Sequence, residues 1–429
     1  MASLYVRQGE IVFECIPYDT PKEATPAVSG GSCWPVKDAG VIKYIGLWPV
    51  SESSGNNHSP LQINQDGITY WVETEVTSGE PVFFNLQDYS ERTGFYANWY
   101  YPTHLSWHWD WNEDSGLEGI TIAPNASHAF DCAFGIQDFD GLEQTWNTSY
   151  VTDMSYMLSH LMIRQPLDCS SWDTSNVTNM EEMFYCYNFF NLYFVRDWNV
   201  SSVVNMKGMF EMADCSPTIP VEKWDVSSVE DISNMFLETH YMTVLDVSNW
   251  NTSNTKNMSG AFSYCGDYIY DNEWTADSFP EGYPLVTHCG LESLDLSRWD
   301  THNAVDMTAM FSGCGAKIID VSNFDTTNIA NGNTSGMFYH DCDPWYSDEY
   351  DTWDLEYIII GSPVFKFQMR DSSCGDIPEN TKILVPGALL DTYRNAENWS
   401  NIANQFEAIE NYIITRASGQ VTVTPNTIL

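Results

Sequence analysis

Trp172-Asp173-Thr174-Ser175-Asn176-Val177-Thr178-Asn179-Met180-Glu181-Glu182-Met183-Phe184 is a phrase that the chain repeats. It returns at Trp198, with Val203, Met206 and Met209-Phe210, then at Trp224, Trp250, Trp299 and Phe324. Trp146, with Val151, Met154 and Met157-Leu158, comes before it. The aromatics at 146, 172, 198, 224 and 250 follow one another at intervals of 26 residues. A fixed period of this length marks a repeat architecture and outranks any local reading. The interval of 49 from Trp250 to Trp299 predicts a degenerate copy keyed on Trp274, with Leu285-Val286 in the Met-Phe slot and Cys289 placed as Cys265 and Cys314 are. That gives eight units of 24–26 residues.

Each unit has a legible interior. Leu167-Asp168-Cys169, Leu245-Asp246-Val247, Leu294-Asp295-Leu296 and Ile319-Asp320-Val321 precede the aromatic and alternate apolar, polar, apolar, which predicts a short strand with one buried face. Asp or Asn follows the aromatic, then Ser or Thr, which predicts a side-chain-bonded turn and a helix N-cap. Val177, Met180, Met183 and Phe184 then fall on one face of two predicted helical turns. Strand, turn, helix and turn in this length is a leucine-rich-repeat unit, whose apolar faces are buried only by stacking on neighbours. Met154, Met180, Met206, Met258 and Met307 are read as core of that stack.

The pattern Leu-x-Leu-Ser-x-Trp/Phe-Asp-Thr-Ser-x-Val-x-x-Met-x-x-Met-Phe-x-x-Cys, most complete from Leu294 to Cys314, resembles the BspA-like leucine-rich repeats of bacterial surface proteins, the Mycoplasma-lipoprotein type. His302 and Ala304 depart from it. The resemblance covers the repeat region, 136–342, and implies a cell-surface or adhesive role in place of catalysis. The ending, a strand at Thr381 to Pro386 followed by Leu389, Tyr393 and Asn398-Trp399-Ser400, is similar to the segment that closes many such proteins, phage-borne ones included. Residues 343–429 are therefore read as a C-terminal α/β cap over the last repeat edge.

Outside the repeats, residues 1–135 read as a β-rich domain, an attachment module. Tyr5-Val6-Arg7, Glu10 to Cys15, Ile68 to Thr74 and Pro81 to Leu86 are strand-like runs between Gly-, Ser- and Pro-rich stretches. An aromatic patch containing Trp107, Trp109 and Trp111 suits a glycan or protein contact, or else packs this domain against the first repeat. Tyr268, Tyr270, Phe279 and Tyr283 in the irregular unit are the second set of candidate ligand-binding residues, because loops on a fixed scaffold tolerate variation.

Composition limits the partners. The chain has 59 acidic and 17 basic residues among 429, a net charge of −42, which repels nucleic acid and anionic membranes. No apolar run is long enough to span a bilayer, and Met1 to Glu10 lacks the apolar segment of a secretion signal. Eleven cysteines without a C-x-x-C pair argue against a zinc ribbon or redox motif. The Asp168/Asp246/Asp295/Asp320 and Asp173/Asp225/Asp300/Asp325 columns are interrupted, so they read as solvated caps more readily than as a Ca²⁺ site, and no cofactor is expected. Asn147, Asn176, Asn199 and Asn251 are glycosylation-type sequons that the repeat turn itself produces. No motif marks a catalytic site.

These readings converge on a leucine-rich-repeat solenoid, an α/β repeat with a β-rich N-terminal domain and a C-terminal cap. Its expected function is non-enzymatic binding, as a phage virion appendage of the tail-tip or fibre type. Its expected partners are a host-surface glycan or protein, or neighbouring virion proteins, and a homo-oligomer is compatible with this. A bacterial cell-surface adhesin, a purely structural virion protein and a polysaccharide depolymerase are the alternatives.

Overall fold

The computed structural model describes residues 4–8, 11–15, 32–38, 41–49, 103–104 and 121–427, apart from 132–135, 140, 162–166, 186–191, 214–217, 241, 267–289, 331, 340–354 and 363–376. Strands β1 (Leu4–Gln8), β2 (Ile11–Cys15), β3 (Ser32–Asp38) and β4 (Val41–Pro49) form an antiparallel sheet in the order β1-β2-β4-β3. The run at Tyr5 and the Ile11–Cys15 part of the next are thus strands. Those at Ile68 and Pro81 lie outside the described residues. Thr103–His104 (β5) pairs in parallel with Ile136–Asp138 (β6).

The repeats stack in register. Isolated parallel bridges join Asp153 to Asn179, Asn179 to Asn205, Asn205 to Asp231 and Asp231 to Asn257. Two aromatic columns run through the interior. Trp146, Trp172 and Trp198 stack at 6.1 and 6.2 Å between ring centroids, and Trp224 lies 6.5 Å from Trp250. Phe184, Phe210, Phe236 and Phe262 stack at 5.5–5.7 Å. All of these rings are buried, as are the methionines at 154, 180, 206, 258 and 307. Tryptophan suits its column because its indole N–H also finds a partner. The Trp198 indole donates to the Cys169 carbonyl at 3.1 Å, Trp224 to Val195 at 2.9 Å and Trp250 to Val221 at 3.0 Å. Each acceptor lies one layer back, so a ring buried for its area also ties two layers together.

Among the described residues the predicted helix after the aromatic is not formed. Met180, Glu182 and Phe184 donate their backbone N–H to Asn205, Lys207 and Met209 of the next layer at 2.8–3.0 Å, whereas Met183 and Tyr185 donate three residues back within their own layer. Alternate amides thus run along the stack and the others close successive tight turns. A chain of such turns brings residues three apart to one side, as a helix does, so the apolar spacing is shared by both structures. The backbone records the difference. Tyr156, Glu182, Asn234 and Ala309 occupy equivalent positions with φ of 48–56°, a left-handed conformation that costs a non-glycine residue about 1–2 kcal/mol. The hydrogen bonds between layers offset that cost.

The layers on either side of the predicted copy at Trp274 meet directly. Trp250 stacks directly on Trp299 at 6.0 Å, and Phe262 on Phe311 at 5.8 Å. The Met258 N–H donates to the Asp306 carbonyl at 2.8 Å, and Asn257 bridges Asp306. These two layers are adjacent, so residues 267–289 are an insertion in the sequence between them. Trp274 itself lies outside the described residues. Upstream, residues before 136 already belong to the stack. Ala126, His128 and Phe130 donate to Asp153, Ser155 and Met157 at 2.9 Å, and Phe130 stacks on Trp146 at 5.9 Å.

The expected strands at 167–169 and 245–247 are not formed, but toward the C-terminus the equivalent segments make a parallel sheet, β7 (Leu294–Asp295), β8 (Ile318–Asp320), β9 (Tyr357–Ile359), β10 (Lys382–Val385) and β11 (Phe406–Ala408), side by side in that order. Leu294, Ile319, Ile358, Ile383 and Phe406 share a register row facing the core. The tail follows its sequence signals. The strand stops at Pro386, a short helix spans Leu390–Arg394, and Tyr393 and Trp399 pack on Phe406. Last comes an antiparallel hairpin, β12 (Tyr412–Ala417) and β13 (Gln420–Pro425).

Candidate binding surfaces

The outward face of the sheet is built from the residues that alternate with the core row. Asp295, Asp320, Ile359, Leu384 and Glu407 form one such row across the strands. Ile318, Tyr357 and Lys382 form the next. In a one-sided sheet this face would be wet, but here the hairpin covers it. Register puts Tyr412, Ile414, Arg416, Val421 and Val423 on one hairpin face, and the four apolar ones pack with Ile318, Tyr357, Ile359 and Leu384. Arg416 Nε donates to Asp320 Oδ2 at 2.7 Å, and Asp320 is fully buried. The Val421 N–H donates to Ser293 Oγ at 2.7 Å. At the open end, Lys382 Nζ lies 3.0 Å from the Tyr412 hydroxyl and 3.2 Å from Glu407. Those two contacts, Tyr412 first, raise the lysine's pKa.

The carboxylates on this face also close local turns. Asp246 accepts from Ser248, Asp295 from Ser297 and Asp320 from Ser322, through backbone N–H groups at 3.0–3.1 Å. The second column does the same at the Asp173 and Asp225 turns, where bonds from Ser175 and Ser227 hold both carboxyls below the usual range. Asn147, Asn199 and Asn251 make the equivalent turns. Among the described residues no group of three or more His, Cys, Asp or Glu side chains is placed to hold a metal ion. Cys169, Cys265 and Cys314 are buried, and burial pushes the Cys169 thiol well up.

A second surface lies along the tight turns of the early layers. His128 stacks on Tyr156 at 4.5 Å and its Nδ1 lies 2.9 Å from Asp131. His160 packs edge-on against Tyr185 at 4.9 Å. The Tyr156 hydroxyl donates to Glu181, which also receives Lys207 Nζ at 2.8 Å and Asn205 Nδ2 at 3.1 Å. Burial and then the charge of Glu182 push the Tyr156 phenol up to about 12. Two layers on from Tyr156, burial and then Glu182 push the Glu211 carboxyl up to about 7. Half-buried aromatic rings interleaved with carboxylates can stack on sugar faces or take cationic side chains. The sequence reading missed this surface, because its residues sit at the variable positions of the repeat. Tyr156 and Tyr185 were the available signal.

None of the residues proposed from sequence can be placed on either surface. Trp107, Trp109, Trp111, Tyr268, Tyr270, Phe279 and Tyr283 all lie outside the described residues. Among the described residues no helix is long and apolar enough to cross a membrane. The family described as Mycoplasma protein of unknown function, DUF285, matches residues 126–214, 161–274 and 289–369, more than half of the chain. No curated protein and no solved structure matches it.

Proposed function

The chain belongs to this family of BspA-like, Mycoplasma-type repeat proteins, and on that premise we propose that it is a non-enzymatic binding protein of a phage virion, a tail-tip or fibre component. In this reading the stack is a leucine-rich-repeat solenoid, residues 1–135 attach it, and the closing segment caps it. Recognition falls to the turn surface around Tyr156, Tyr185, His128 and Glu181, the observation that carries the reading. Stacking repeats one period at a time makes a long surface out of short motifs, which suits recognition. With a net charge of −42 the expected ligand is a neutral or cationic host-surface glycan or protein. The resemblance of the tail to phage-borne members supports placement on a virion. The resemblance of the repeats to bacterial surface proteins supports a cellular adhesin as second reading.

Labelled full-length protein should bind host cells, and Tyr156→Ala with Tyr185→Ala should weaken that binding at least tenfold while leaving the melting temperature nearly unchanged. An antibody to the chain should decorate purified particles if the virion placement holds, and the outer surface of bacteria if the adhesin reading does. Binding to no cell, with the chain present in particles, would make it structural. Sugar release from host capsule by the purified protein would make it an enzyme.

A further inference from the structure

The hairpin covers an apolar surface to which it is weakly tied. Ile359 and Leu384 are fully buried although they point away from the core. What covers them is this hairpin. Among the described residues its two strands pair only with each other, and an isolated two-stranded hairpin is marginal in water. Of its apolar side chains only Val421 is fully buried, while Ile413 on its far face is 49% exposed. It is held by four apolar side chains, the contacts of Val421 N–H and Gln420 with Ser293, those of Arg416 with Asp320 and Ser322, and the Lys382 contacts at its base. Elements with few buried contacts open at less cost than the fold as a whole.

The cover also differs in charge from the protein it covers. Residues 412–425 contain no Asp or Glu and one arginine, in a chain of net charge −42. The floor holds two adjacent buried carboxylates, Asp295 and Asp320, and Arg416 meets the second of them. The hairpin thus has the chemistry of a ligand for this face: extended, β-branched, free of acid and carrying a cation aimed at Asp320.

We propose that the outward face of β7–β11 is an interaction surface for a partner protein segment of that chemistry, and that hairpin 412–425 is its resident occupant, displaced when the partner binds. This deepens the reading as a binding protein and identifies a second site on it. It is tested with purified components, so failure to bind host cells would leave it standing.

A fluorescent synthetic peptide of residues 412–425 serves as the probe, titrated against the full-length chain by anisotropy. The Arg416→Ala chain, whose own hairpin is loosened, should bind it at least tenfold more tightly than the unaltered chain. A peptide carrying Arg416→Glu should lose that binding, and one carrying Thr422→Ser on the far face should keep it. Hydrogen exchange of β12 and β13 should be faster than that of β8–β10 in the unaltered chain, and faster again in the variant. If the Arg416→Ala chain misfolds, Val423→Ser loosens the hairpin from its other strand and replaces it. No peptide binding to a folded loosened chain overturns the proposal, as does equal binding of the Arg416→Glu peptide.

Discussion

At Glu211 two effects of stacking meet in one side chain. Its layer half-buries it, and the neighbouring layers bring up Glu182 and Glu238, so its carboxyl is raised from 4.5 to about 7. An acid whose pKa is higher folded than unfolded binds more protons in the native state between those two values. The stability it contributes is complete below pH 4.5 and is lost as pH rises through 7. Glu211→Gln should therefore raise the melting temperature at pH 8 by on the order of 1–3 °C, discounted for solvent screening, and change it little at pH 4. Equal shifts at both pH values would mean the carboxylate is not strained. Trp224→Ala tests the opposite extreme. It removes a buried ring and leaves the Val195 carbonyl without its indole donor, so it should cost about 3–5 kcal/mol in a denaturant titration. The ring columns, the methionines and the Asx turns were legible in the sequence because burial and turn chemistry select residue types. Glu211 was not, since its carboxyl is defined by residues a layer away.

At the level of the element, the sequence misleads where two structures share one spacing. Val177, Met180, Met183 and Phe184 are all buried as expected, but in successive tight turns and not in a helix. The distinguishing mark, a left-handed residue at Glu182 or Asn234, is nearly invisible when the residue is not glycine. Spacing meets another limit at Trp274, because the layers on either side of this well-spaced tryptophan are adjacent. The insertion's ends show why it is tolerated. A Cβ placed on Gly290 would lie 3.7 Å from the Gly266 carbonyl, so the chain leaves and re-enters the stack at nearly one point. Loop closure depends only weakly on length, and replacing 267–289 by about four Gly/Ser residues should leave the melting temperature within a few degrees. A loss of several kcal/mol in chemical denaturation would mean the insertion covers core. Gly266 must stay, since φ is +65° and an added Cβ would be 2.6 Å from the Met242 carbonyl.

Across the whole molecule, stability is a sum of layers and the contacts between them, so the ends decide where the protein can be cut. Composition alone indicates a cut at 136, where the β-rich region gives way to tryptophan repeats. The hydrogen bonds indicate one farther upstream, because Ala126, His128 and Phe130 donate into the Trp146 layer and Phe130 with Phe139 closes over Trp146. The sequence hides that layer because Ala126 and Ala129 stand where later copies carry methionine. A chain of 136–429 would lose Phe130 and leave the Trp146 ring and a row of layer carbonyls uncovered. It should melt well below a chain of 118–429, show increased binding of a hydrophobic dye, and aggregate first on heating. The longer fragment retains His128, Asp131, Tyr156 and Tyr185 and should bind host cells as the full-length chain does. Loss of cell binding in a well-folded 118–429 would move recognition to the N-terminal residues and leave the stack as their support. Equal melting of the two fragments would mean that the layer at 121–131 adds nothing to the stack, and that cooperativity begins at Trp146.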